Sequence, residues 1–113
     1  MSTVFSFICA FCRASGLPPP ISEYRFHPTR AWRLDFAWEP ESWKVALEIQ
    51  GATWVRGRHT RGLGYARDCE KLAEAQLAGW LCLWATTEQM QSELALAWVR
   101  RALESRGWKS EGT

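Results

Sequence analysis

Asp35 and Glu48 are the two side chains whose type and spacing point most directly to chemistry. Each falls on the polar face of a segment whose apolar residues alternate with period two. A short turn around residues 39–42 separates the segments, so the two carboxylates are predicted to lie opposite or diagonally adjacent across a hairpin. Carboxylates held that close repel unless a cation sits between them. Mg2+ takes hard oxygen ligands from one or two carboxylates and leaves positions for water and phosphate oxygens. An Asp–Glu pair beside an arginine-rich loop therefore suggests phosphodiester hydrolysis. The competing reading is a solvated strand face on which the acids pair with Arg33 and Lys44.

The elements that must position this pair follow from pattern. Residues 3–14 carry apolar side chains on nearly every side, which predicts a short, largely buried helix ended by Gly16 and Pro18-Pro19-Pro20. Ile21 to His27 is a possible strand, with Tyr24 and Phe26 on one face. Residues 31–38 place Trp32, Leu34, Phe36 and Trp38 on one strand face. Trp43 to Gln50 is its hairpin partner. Gly51 to Gly64 is a long loop, and loops of that length are uncommon unless functional or mobile. Tyr65 to Ala78 predicts an amphipathic helix presenting Cys69, Leu72, Ala73, Gln76 and Leu77. Trp80 to Trp84 predicts a central strand buried on both faces, and Thr86 or Thr87 opens a final helix to about Ser105.

Charge is distributed unevenly. The net charge is +2, yet Arg56, Arg58, Arg61 and Arg67 fall in a stretch from Gly51 to Arg67 that has no acid. Arg25, Arg30 and Arg33 lie just upstream. Forked, permanently charged guanidinium groups in such a patch suit phosphate binding, although solvated surface arginines are the plainer alternative. His59 suits a phosphate contact or a proton transfer, or else a loop hydrogen bond. Trp54, in the same loop, is the tryptophan suited to stacking on a base or sugar, whereas Trp32, Trp38, Trp80 and Trp84 fall on predicted core faces.

The 113 residues predict one domain over 1–113, large enough to be stable without disulfides. No apolar stretch approaches the ~20 residues of a membrane span, and the first residues lack a basic signal-peptide region. The expectation is a cytoplasmic protein with no membrane partner. Cys9, Cys12, Cys69 and Cys82 then read as reduced thiols. Cys9 and Cys12 have zinc-like spacing, but no second pair follows.

Arg33-Leu34-Asp35-Phe36, followed by Leu47-Glu48-Ile49-Gln50-Gly51, resembles the PD-(D/E)XK nuclease superfamily. Gly57-Arg58-His59, Asp68, Lys71 and Gly79-Trp80 are similar to very-short-patch repair endonucleases and their phage-encoded relatives. The separation of Asp35 from Glu48 resembles that in small Holliday junction resolvases. The resemblance covers roughly residues 21–86. It implies an α/β fold with a single restriction-endonuclease-like αβββαβ core, a mixed central sheet and flanking helices, in a bacterial or phage-infected cell.

The activity it implies is an Mg2+-dependent, structure-selective DNA endonuclease, foremost a Holliday junction resolvase acting as a homodimer on branched DNA. Mn2+ is expected to substitute. Mismatch nicking by a monomer and a catalytically decayed DNA-binding module are the alternatives. Asp35, Glu48 and the backbone carbonyl of Gln50 would hold the metal. Arg25, Arg30, Arg33, Trp54, Arg56, Arg58, His59 and Arg61 would meet DNA.

Two departures from the pattern matter. Gln50 stands where a lysine is usual, and an amide can only hydrogen-bond and position water. Lys71 on the next helix is a candidate replacement cation, or simply a solvated lysine. No carboxylate precedes Glu23, so Glu23 is the upstream acid candidate, or else a turn glutamate.

Overall fold

The prolines and the alternating apolar pattern set the first half of the fold. The computed structural model describes residues 3–38, 40–50 and 63–110. Helix α1 (Thr3–Ser15) leads to strands β1 (Ile21–Arg25), β2 (Arg33–Trp38) and β3 (Val45–Ile49). Helix α2 (Leu63–Leu77), strand β4 (Leu81–Ala85), and helices α3 (Thr87–Gln91) and α4 (Leu94–Ser105) follow. The αβββαβ order is present, with two helices after it.

The four strands form one mixed sheet in the order β1-β2-β3-β4. β1, β2 and β3 run antiparallel in sequence, and β4 lies parallel to β3. α2 forms the crossover between those parallel strands. One sheet face carries the larger core, where Ile8 and Cys12 of α1 and Leu96, Val99 and Leu103 of α4 pack on Phe36, Trp38, Val45 and Leu47. The other face carries a smaller core of Leu34, Ala37, Ala46, Trp80 and Ala75 of α2. The fold is therefore α/β, a mixed sheet between helices.

Local chemistry explains the ends of α1. Gly16, at φ +77°, and Leu17 return hydrogen bonds to Arg13 and Cys12 of the last turn, which closes the helix before the prolines. The Trp38 indole then donates to the Pro18 carbonyl at 2.8 Å and ties that turn to the sheet. α1 is less buried than its composition predicts. Ile8 and Cys12 are fully enclosed, but Val4 and Phe7 stay exposed.

Four further expectations are corrected. Leu34 does not share a face with Phe36 and Trp38, because it packs in the smaller core with Ala37. The alternation breaks at Asp35, across from which Glu23 has φ +49°. A left-handed residue reorients its strand, and this one sits where the side-chain sequence changes face. β4 is an edge strand, not a central one, and Trp84 keeps 37% of its surface exposed.

Helix α2 is turned from its predicted orientation. Leu77 is 82% exposed, and Cys69 and Ala73 also face outward, while Ala75 is fully buried and Lys71 and Leu72 are half-buried. Glu48 beneath this helix is itself buried, and a buried carboxylate needs a partner. The rotation that supplies Lys71 takes Leu77 away from the sheet. Finally, the predicted last helix is two helices. A Thr86–Gln89 capping box opens α3, and Glu93 at φ +71° separates it from α4.

Candidate active site

The β2–β3 register pairs Phe36 with Leu47, and one step further it puts Asp35 directly opposite Glu48. There the two side chains cross-link the strands through backbone donors. The Asp35 amide donates to Glu48 Oε2 at 3.3 Å, and the Ile49 amide donates to Asp35 Oδ2 at 2.9 Å. Each carboxylate is thus fixed by the strand that carries the other. Hydrogen bonds to charged acceptors are the strong kind, so this pair is preorganised by the hairpin itself.

α2 completes the group. Lys71 Nζ donates to Glu48 Oε2 at 2.7 Å, with the side chains 21% and 8% exposed respectively. The solvated-lysine reading is set aside by this contact. Glu48 is held above the usual carboxylate range. Burial is the main cause and nearby Asp35 adds to it, while the Lys71 hydrogen bond and charge pull the other way. The Cys82 thiol is pushed up to about 11 by burial and then by the charge of Glu48, which keeps it protonated and a poor nucleophile at neutral pH.

Asp35, Glu48 and Lys71 line a cavity of about 180 Å3 together with Ile49, Gln50, Asp68 and Trp84. The hydrogen bonds from the strands and from Lys71 fall on Asp35 Oδ2 and Glu48 Oε2. Two carboxylates side by side on a rigid hairpin, both lining one cavity, are the donor set that a hard divalent cation uses, and its remaining positions would be left to water and phosphate. The site fits Mg2+ or Mn2+ on that ground. Among the described residues no group of three His, Cys, Asp or Glu side chains converges as a metal-binding cluster. Gln50 is at the cavity edge, its amide bonded to the Ala85 carbonyl at 2.7 Å, which anchors the end of β3 to β4.

Glu23 lies on the far side of Asp35. The β1–β2 register puts it opposite Asp35, and it shares a second cavity of about 180 Å3 with Ser22, Asp35 and Ile49. Its carboxylate pairs with Arg33 at 3.1 Å and is largely exposed. Arg30 pairs with Glu70 at 3.2 Å and covers the Trp32 ring at 3.9 Å. Both ion pairs are exposed, which makes them weak and exchangeable. Arg25 is exposed, directly across from Arg33, and makes no ion pair among the described residues. Trp54, Arg56, Arg58, His59 and Arg61 lie outside the described residues.

Two members of the site escape the sequence pattern. Asp68 lies three residues before Lys71, a spacing that puts them on one helix face, but the same spacing equally fits a surface ion pair. Trp84 reads as core within an apolar run, yet it lines the cavity beside Glu48, its register partner across β3 and β4. Comparisons of the chain with protein-family models, with curated proteins and with solved structures find no match.

Proposed function

We propose that this chain is a metal-dependent nuclease whose hydrolytic centre is Asp35, Glu48 and Lys71. One observation carries the reading: two strand-borne carboxylates, locked by reciprocal backbone hydrogen bonds, meet a helix-borne ammonium in one solvent-open cavity. Asp35, Glu48 and the Gln50 carbonyl would hold the divalent ion. When bound, such an ion lowers the pKa of the attacking water and offsets charge on the phosphate.

The chain's own residues account for the remaining needs of the reaction. The hairpin bonds fix both carboxylates before substrate arrives, so little reorganisation is needed when charge develops. Lys71 supplies an ammonium where the family pattern resembled by this sequence has a lysine on β3. An ammonium donates and cannot accept, so its part is to hold a phosphate oxygen as negative charge builds, not to take a proton from water. Gln50 positions water or substrate by hydrogen bonding. Trp84 offers a partly exposed aromatic wall to the sugar or base beside the scissile bond.

The substrate we propose is DNA, held by its phosphates. Arg25 and Arg33 oppose each other across β1 and β2, a like-charge arrangement that a bound phosphate relieves. A structure-selective action on branched DNA, as a junction-resolving homodimer, is supported by the sequence resemblance. Mismatch nicking is the second reading, favoured by the motifs around Asp68 and Lys71.

Labelled four-way junctions, flaps, mismatched and linear duplexes, incubated with Mg2+ and then with chelator, test the reading. Preferential cutting of junctions supports resolvase action, and preferential cutting of mismatches supports the second reading. Binding without cutting in Mg2+ would leave a DNA-binding module in place of a nuclease.

A further inference from the structure

At the other end of α1, where that helix meets α4 and the C-terminal segment, lies a cleft of about 570 Å3. Arg13, Arg100 and Lys109 line it together with Gly16, Leu17 and Trp108, and among the described residues no acidic one does. Its volume falls in the usual range for small-molecule sites of about 300–1,000 Å3. The helix end explains one of the three cations. The Arg100 guanidinium donates to the Ser15 carbonyl in the last turn of α1, and it stands 5.4 Å from the Trp108 ring centroid. One guanidinium suffices for that cap.

Arg13 and Lys109 are exposed, and neither makes an ion pair among the described residues. Three like charges around one cleft repel one another unless an anion joins them. The indole adds a planar apolar surface at the same place. Cations beside an aromatic face form the combination that binds a phosphate and stacks a base.

We propose that this cleft is a nucleotide-binding site, holding the phosphate on Arg13, Arg100 and Lys109 and the base against Trp108. The occupant is either one nucleotide of a strand or a free nucleotide. The inference does not rest on the carboxylate centre, which lies at the sheet and α2, and it is tested without cleavage.

The test uses the full chain in chelator. Binding of a fluorescein-labelled oligothymidylate is measured for the wild type, for Arg13→Glu/Lys109→Glu and for the milder Arg13→Gln/Lys109→Gln. The charge reversal should weaken binding at least 10-fold, and the neutral pair should lower the salt slope of the binding constant by about two. A strand carrying 5-bromouracil should photo-crosslink to Trp108. Competition by thymidine monophosphate assigns a free nucleotide to the cleft, and lack of competition assigns the strand. Unchanged affinity and slope in both variants, or crosslinks that map only elsewhere, would overturn the proposal. Failure here leaves cleavage by Asp35 and Glu48 untouched.

Discussion

Lys71 Nζ lies 2.7 Å from Glu48 Oε2, so α2 brings a positive charge to the carboxylate pair while β3 is followed by the neutral Gln50. This contact links a departure in one strand to the rotation of the helix above it. It also gives the first prediction. Lys71→Ala should slow cleavage by about 10²-fold, the scale of losing one donor to a developing charge. Adding Gln50→Lys to that variant should restore part of the rate, because the cation then returns on the strand. Single-turnover cleavage of labelled DNA measures both. Normal turnover in Lys71→Ala would remove the lysine from the mechanism.

Burial raises the Glu48 pKa despite Lys71, and this has a sign for stability. A carboxyl whose folded pKa lies above its unfolded one, about 4.3, contributes stability below the unfolded value. That contribution is lost as pH rises through the folded value. In chelator, Glu48→Gln should therefore gain on the wild type between pH 4 and pH 7. Urea midpoints at the two pH values measure this, and a variant-minus-wild-type difference that falls with rising pH would contradict the assignment.

Ala75 is fully buried where α2 meets the sheet, one turn after Lys71. Ala75→Leu should cost about 1–3 kcal/mol through overpacking. By lifting α2 it should also lower the cleavage rate. Chemical denaturation and activity together check this, and a destabilised variant with unaltered rate would mean that α2 does not position the ammonium.

The cysteines test the fold itself. Cys12 is buried, and its thiol is pushed up to about 11 chiefly by that burial, with the neighbouring Cys9 adding to it. Cys82 is raised equally, while Cys69 is exposed. Iodoacetamide at pH 8 should modify Cys69 well before Cys12 and Cys82, as read by peptide mass spectrometry. Early modification of Cys82 would place β4 wrongly.

Much of this arrangement is legible in the sequence because local signals agree there. Period-two alternation around a short proline turn is enough to bring Asp35 opposite Glu48, and Gly16, Gly79 and Gly107 mark three helix ends, each at positive φ. The rest depends on tertiary context. The face change at Asp35 goes with a left-handed Glu23, and nothing in a glutamate announces that backbone. The last helix breaks at Glu93 without glycine or proline. α2 is turned by a half-buried lysine on a buried carboxylate, against its own apolar pattern, so hydropathy alone favours the wrong face. The apolar run of β4 reads as central, but strand order is a long-range property and puts it at the edge.

Plasmid nicking by wild type, Asp35→Asn and Glu48→Gln, each with Mg2+, with Mn2+ and with chelator, tests the central claim most directly. Both substitutions remove a carboxylate from the pair while leaving every arginine in place, and both lower the repulsion toward DNA. The wild type should nick in either metal and not in chelator. Each variant should lose cleavage by several orders of magnitude while DNA binding persists or tightens. Nicking that survives in chelator, or near-normal cleavage by either purified variant, would contradict a metal-dependent centre at Asp35 and Glu48.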